Sequence, residues 1–235
     1  MAQHILITGA SSGIGRALAV KLAAAGYRLS LCGRSSDKLA QTQALLALDA
    51  PVFARAFCLN SPDAGTQIAA FCAEAEAEHG AVDMLINCAG ANTARHSAEQ
   101  PHWQELQQMM QLNFYAPVNF IAQLVPQMRL RGSGVVLNVL STVCLFANAN
   151  LASYSASKAA LDSYSKVLRK ELHNSGVKVL SLYPGGVNTA FRANVNPDYL
   201  SADDVADAAI SMLLAPPQVH LHELVIRPQS EQNFC

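Results

Sequence analysis

The chain alternates between two kinds of segment. Short runs rich in aliphatic and β-branched residues occur at 4–7, 29–32, 52–58, 84–87, 135–140, 177–182 and 224–226. Several are apolar at consecutive positions, which is the pattern of a strand covered on both faces. Longer stretches rich in Ala, Leu, Gln and Glu lie between them and favour helix. The longest helices are expected around 103–130 and 154–174. Ser61-Pro62-Asp63 reads as an N-cap, a first-turn proline and a first-turn acid. Gly26, Gly80 and Gly176 follow helical runs and suit left-handed C-cap positions. Ser201-Ala202-Asp203-Asp204 resembles a capping box ahead of a helix over 205–214, which Pro216-Pro217 then stops.

Strands that alternate with helices imply parallel crossovers and a sheet covered on both faces. The expected fold is a single doubly wound α/β domain over 1–235, with a parallel sheet of about seven strands. No internal repeat, Gly/Ser linker or composition shift divides the chain.

Composition removes some function classes. Hydrophobic residues make up 51% and charged residues 14%, which excludes a disordered chain. Lys and Arg number 16 against 17 Asp and Glu, so no electrostatic footprint for nucleic acid or an anionic membrane is present. No apolar run reaches about 18 residues and no signal segment is evident, so a soluble, cytoplasmic protein is expected. Six cysteines, at 32, 58, 72, 88, 144 and 235, form no C-x-x-C pair. Cys32, Cys58 and Cys88 lie in apolar runs and are expected to behave as small buried hydrophobes in a reducing compartment.

Two constellations carry chemistry. The first strand runs into Thr8-Gly9-Ala10-Ser11-Ser12-Gly13-Ile14-Gly15, with a helix following. A glycine-rich turn there lets backbone approach a pyrophosphate, and the helix N-terminus offers free N–H groups and a positive dipole end. Gly9 permits the turn, Gly13 the close approach and Gly15 tight helix–strand packing. The second strand ends Cys32-Gly33-Arg34-Ser35, with no acid before Asp37. A carboxylate at that point would bind a ribose 2′-OH, whereas Arg34 offers a fork to a 2′-phosphate and Ser35 a hydroxyl, which favours NADP(H). The second constellation is Tyr154-Ser155-Ala156-Ser157-Lys158. Residues i and i+4 share a helix face, and an ammonium beside a phenol favours the phenolate, which tunes a general acid/base. Asn138-Val139-Leu140-Ser141 ends the fifth strand upstream of it.

With these residues in order, the chain resembles the short-chain dehydrogenases/reductases over nearly its whole length. The resemblance rests on Thr8–Gly15, Asn87-Cys88-Ala89-Gly90, Asn113, Ser141, Tyr154 with Lys158, and Tyr183-Pro184-Gly185-Gly186-Val187-Asn188-Thr189. It implies that Tyr154 exchanges a proton with the substrate oxygen and that Ser141 holds that oxygen. It implies that Lys158 binds the nicotinamide ribose and that Asn113 holds a water leading from Lys158 to solvent. Asn87 would steady the central strands, and Ala89 and Gly90 would flank the cofactor. The Val187 backbone and Thr189 would hold the carboxamide, with Pro184 and Gly185 also binding the cofactor. No metal is implied, because Ser141 and Tyr154 are the donors placed at the oxygen that gains charge.

Three departures from the family pattern stand out. Asn60 occupies the region where an Asp near the adenine is usual. Cys144 replaces a Gly and is expected to narrow the pocket. The C-terminal segment resembles the NADP-dependent 3-hydroxy acid and serine dehydrogenase branch rather than acyl-carrier-protein ketoreductases. The substrate lid is short, at about 190–201, which suits a small carbonyl or secondary alcohol, a 3-oxo or 3-hydroxy compound. A 3-oxoacyl thioester reductase and a non-catalytic NADP(H) sensor are the competing readings.

The remaining features have ordinary readings. His220 and His222 share a face if 221 lies in a strand, but no third ligand accompanies them. Arg95 and Arg192 fall in loops near the substrate mouth and read as solvated or as partners for a substrate carboxylate. Glu74, Glu76, Glu78 and His79 read as a solvated helix face. Trp103, Met109 and Met110 suit packing or a subunit interface. The family pairs the two long helices across a twofold axis. Ser153, Ser157 and Ala160 fit close helix approach, so a homodimer or homotetramer is expected.

Overall fold

In the computed structural model, residues 2–93, 95–189, 191, 195–216 and 218–232 are described. Seven strands form one parallel sheet: β1 (His4–Thr8), β2 (Arg28–Gly33), β3 (Val52–Ala56), β4 (Met84–Asn87), β5 (Gly134–Val139), β6 (Val177–Pro184) and β7 (Glu223–Ile226). Their order is β3-β2-β1-β4-β5-β6-β7, with every pairing parallel. The order reverses between β1 and β4, and a crevice opens there beyond the carboxyl ends of the strands. This is the single doubly wound α/β domain expected.

The two faces divide by residue parity. Ile5 and Ile7 join one core layer with Leu18 and Leu22 of α1 (Gly13–Ala24) and Val205 and Met212 of α7 (Ala202–Leu213). Leu6, between them, joins the other layer. There it meets Phe71 of α3 (Ala64–His79), Phe120 and Met128 of α5 (Ala116–Arg131), and Leu168 of α6 (Ala152–Glu171). Both sets of alternate side chains are buried, which is why the strand reads as continuously apolar. Helices α2 (Ser36–Gln43) and α4 (Trp103–Met110) complete the set used below.

Local differences from the sequence expectations have physical causes. α3 begins at Ala64, and Ser61 is not its N-cap: the Ser61 N–H and hydroxyl both donate to the Cys58 carbonyl, in a turn ahead of the helix. β3 stops at Ala56, so Cys58 lies beyond the sheet and is exposed, not buried. His79 is buried at the end of α3, its ring edge-on to His4 at 5.3 Å, and does not belong to a solvated face. The long helix expected around 103–130 runs continuously over 103–131 with a π-helical turn at Gln111–Tyr115 inside it. α6 ends at Glu171, and the chain turns through Asn174 and Gly176 at positive φ into β6. Ser157 is fully buried inside the protomer and gives no surface for helix pairing, whereas Ser153 and Ala160 are half-buried. The capping box at Ser201 and Asp204 forms as expected. Arg192, Pro217, Cys235 and part of the lid lie outside the described residues. Among the described residues no helix is long and apolar enough to cross a membrane.

Candidate active site

The turn after β1 depends on glycine geometry. Gly9 adopts φ +70°, and a Cβ there would lie 2.8 Å from the Ala89 Cα. The chain after β4 therefore passes directly against this turn. Gly15 packs as closely, since a Cβ would lie 2.4 Å from the Gly9 carbonyl oxygen. Thr8 fixes the contact: its hydroxyl oxygen accepts from the Cys88 and Ala89 N–H groups, both at 3.0 Å. The residue acts as a clamp between β1 and β4 and does not itself line the crevice.

The crevice is a cavity of ≈1520 Å³ along the carboxyl edge of the sheet. Ligand pockets commonly run about 300–1,000 Å³, so this one has room for an extended ligand and a second molecule. Gly9, Ser11, Ser12, Gly13, Ile14 and Gly15 form its floor at the start of α1. Arg34, Ser35 and Asn60 line one end; Ala89, Gly90, Ser141, Tyr154, Lys158, Pro184, Gly185, Val187 and Thr189 line the rest. Of the residues singled out from sequence, Thr8, Asn87 and Asn113 stand behind the wall. Ser35 has a further task, because its hydroxyl caps α2 by accepting from the Lys38 N–H. Lys38 also lines the cavity beside Arg34. Sequence reading missed it, although the i,i+4 spacing from Arg34 was visible. Glu231, Tyr199 and Phe191 line the cavity as well, with Phe191 5.9 Å from Tyr154 between ring centres.

Two polar networks hold the wall. Asn87 donates to Asn138 Oδ1 at 2.9 Å, Asn138 donates to Ser165 Oγ at 2.8 Å, and Ser165 donates to the Leu161 carbonyl at 2.6 Å. This chain ties β4, β5 and α6 together below the site. Asn113 sits in the π-helical turn, where the widened backbone brings it inward. Its side-chain amide donates to the Ala91 carbonyl and to Ser157 Oγ, both at 2.9 Å, and its oxygen accepts from the Ala91 N–H at 2.9 Å. Ser157 in turn donates to the Tyr154 carbonyl at 2.8 Å. Both Asn113 side-chain donors are thus spent on the protein.

Lys158 is buried and donates to the Val139 carbonyl at 2.8 Å. Burial lowers its pKa from the ordinary 10.5. Gly90 makes room for it, since a Cβ there would lie 3.2 Å from Lys158 Nζ and 3.1 Å from Asn113 Oδ1. Ser141 caps a short 3₁₀ turn at Thr142–Cys144, its hydroxyl accepting from the Val143 N–H at 3.3 Å. Its own O–H is left to point elsewhere. Cys144 does not narrow the cavity. It packs against Leu140, Leu161 and Tyr183, and Val143 takes the wall position. Burial pushes the Cys88 thiol up to about 12 and Cys144 up to about 11, so neither is a ready thiolate. His220 and His222 precede β7, their Nδ1 and Nε2 atoms 3.3 Å apart, with no third ligand among the described residues.

A glycine turn at the sheet's switch point, a helix N-terminus beside it and an extended cavity define a Rossmann-type dinucleotide fold. Residues 3–200 match the family model for short chain dehydrogenases. The chain belongs to that family and is an oxidoreductase of the short-chain dehydrogenase type. An uncharacterized oxidoreductase of Staphylococcus aureus (strain N315) is 31% identical over 226 residues, 95% of this chain and 96% of the relative. An alcohol dehydrogenase from the archaeon Thermococcus sibiricus, complexed with 5-hydroxy-NADP, superposes with a TM-score of 0.89 at 25% identity, over 99% of both chains. Serine dehydrogenase from Escherichia coli shares the fold, with a TM-score of 0.87 at 24% identity over 97% of this chain and 99% of that one.

Proposed function

We propose that this chain is an NADP(H)-dependent carbonyl reductase and alcohol dehydrogenase acting on small 3-oxo or 3-hydroxy compounds. The observation that carries the reading is that Ser141, Tyr154 and Lys158 line the same cavity as the glycine-rich turn. The cavity fits a dinucleotide. Its floor is a cradle that side chains at Gly9 or Gly15 would fill, and Arg34 and Lys38 stand at one end to pair with a 2′-phosphate. The solved alcohol dehydrogenase described above carries an NADP derivative, which favours the same cofactor here.

When bound, the nicotinamide supplies or accepts the hydride. The chain's own residues manage the oxygen. Tyr154 gives its phenolic proton to the carbonyl oxygen during reduction and takes it back in oxidation, and the Ser141 hydroxyl donates to the same oxygen. Lys158 holds ribose hydroxyls with the two N–H donors that Val139 does not use, and its charge favours the phenolate of Tyr154. Asn113 sets the position of the Tyr154–Lys158 turn through Ser157. The Val187 backbone and Thr189 hold the carboxamide, with Pro184 and Gly185 beside them. No metal acts on the substrate oxygen in this reading.

The exposed Trp103, Tyr115 and Val167 on α4, the π-helical turn and α6 support pairing of this face with a second copy, in a homodimer or homotetramer. A cytoplasmic location is part of the same reading. A panel of small ketones, aldehydes and secondary alcohols, run with both NADPH/NADP⁺ and NADH/NAD⁺, tests it. Tyr154→Phe abolishes turnover and keeps cofactor binding; substantial remaining activity would mean that the proton donor is another group. Arg34→Ala weakens NADPH about ten-fold or more relative to NADH, the scale of one lost charge-assisted contact. Equal losses would sink the 2′-phosphate assignment. Cofactor binding without turnover on any panel member would leave the sensor reading.

A further inference from the structure

We propose that His96, His102 and Glu105 form a site for a first-row divalent metal such as Zn²⁺, beside the mouth of the cavity. Glu105 Oε2 lies 2.7 Å from His96 Nε2 and 3.7 Å from His102 Nδ1. The three donor atoms all lie within 4.8 Å of one another. Among the described residues no other trio of His, Cys, Asp or Glu side chains meets that spacing.

The fold brings them together by two routes. His102 immediately precedes α4 and Glu105 lies in its first turn, three residues on and therefore on the same face. His96 comes from the loop after β4, where its backbone bridges to Leu151 just before α6. The two imidazole rings stack at 3.9 Å, within 5° of parallel. A divalent ion would take a lone pair from each neutral ring, and the carboxylate would offset one of its two charges.

An imidazole lone pair lies in the ring plane, so a shared ion requires one ring to turn. His102 has the room, with its side chain 62% exposed against 31% for His96. Two nitrogens and one carboxylate oxygen, without a thiolate, suit Zn²⁺ and its neighbours. Mg²⁺ and Ca²⁺ prefer all-oxygen sets. A fourth position remains for water.

The ion would tie the loop after β4 to α4. Asn92, Thr93 and Arg95 of that loop, and Leu151 bridged to it, line the cavity. The site therefore stiffens the substrate mouth and touches none of the reacting atoms. It stands whether or not the proposed chemistry is correct.

The test is titration of the metal-stripped full chain with Zn²⁺ by calorimetry and with Co²⁺ by absorption, above the ordinary histidine pKa. The expected result is one saturable equivalent, a rise in Tm, and Co²⁺ bands free of thiolate charge transfer. His102→Ala and Glu105→Gln, both at partly exposed positions, each weaken binding roughly ten-fold or more while retaining the native circular dichroism. His222→Ala leaves binding unchanged. Absence of saturable binding overturns the site, as does binding that survives both variants. Binding that follows His222→Ala, or a thiolate band lost in Cys58→Ser, overturns it too.

Discussion

Lys158→Met should make the cofactor-free protein more stable while removing its activity. Lys158 is 4% exposed, and its ammonium donates to the Val139 carbonyl at 2.8 Å. Burial is the dominant influence on it and lowers its pKa; Cys144 and Cys88 would oppose this only as thiolates, which burial disfavours. Burying an ion costs several kcal/mol even after relaxation, and a hydrogen bond to a charged group contributes about 1.5–3 kcal/mol. Methionine keeps most of the side chain's length, removes the first quantity and gives up the second. A gain of about 1–3 kcal/mol follows, each kcal/mol raising Tm by about 2–4 °C in a domain of this size.

Urea unfolding without cofactor, followed by circular dichroism from neutral pH to about pH 10, measures it. The folded pKa of Lys158 lies below the unfolded value of 10.5, so the unfolded chain binds the extra proton between the two. Wild-type stability therefore rises with pH across that interval, and the gap to the variant narrows. With saturating NADP⁺ the order reverses, because only the wild type gains the full linkage stabilisation. A variant less stable than wild type at neutral pH without cofactor would refute the reasoning. A gap that ignores pH would refute its electrostatic origin.

Two further outcomes concern the frame of the site. His4 is fully buried, with Nδ1 2.8 Å from the Gly80 carbonyl and Nε2 2.8 Å from Ser30 Oγ; burial above all, then His79 and Arg28, lower its pKa to about 4 against the opposing Gly80 carbonyl and Asp83. Its share of stability is complete above the unfolded value of 6.5 and is lost as pH falls towards 4, by at most about 3 kcal/mol, so the stability difference between wild type and His4→Phe should shrink over that window in urea titrations. Asn138→Ala strands the buried Asn87 donor and takes from Ser165 Oγ the N–H it accepts, and should cost about 2–4 kcal/mol in urea unfolding; a loss under about 1 kcal/mol would show that the network relaxes around the gap.

The residues legible from sequence are those whose chemistry needs fixed types at short spacing. Tyr154 and Lys158 are one helical turn apart, and the glycines of the first turn are dictated by backbone contact, so a one-dimensional pattern captures both. The strand set was legible for the same reason: burial on both faces writes itself as unbroken apolar runs. What escaped depends on partners far along the chain. The π-helical turn at Gln111–Tyr115 leaves the helical apolar pattern intact, so nothing local marks it. Its consequence, Asn113 gripping Ala91 and Ser157, joins three separate segments. His79 sits among glutamates and reads as surface until His4, on the first strand, is placed beside it. Cys58 reads as core only if β3 is extended past Ala56.

The distribution of buried polar atoms identifies the working end of the sheet without reference to any relative. A fold that served only stability would pair such atoms, since each unpaired one costs about 1–3 kcal/mol. At the amino ends of the strands His4 does use both ring nitrogens. At the carboxyl ends the pattern changes. Asn87 Oδ1, Asn92 Oδ1 and Glu231 Oε2 are buried without a protein partner. Lys158, a buried ammonium, has one carbonyl for three donors. Asn92, Glu231 and Lys158 line the cavity, and Asn87 leads into Cys88, which also lines it. Ser155 Oγ on α6, which does not line the cavity, and His79 Nε2, at the opposite end, are the exceptions among the described residues. The orphan atom of His79 fits a packing compromise against His4. A cluster of orphans around one cavity is instead the imprint of a site whose remaining partners arrive with its ligands.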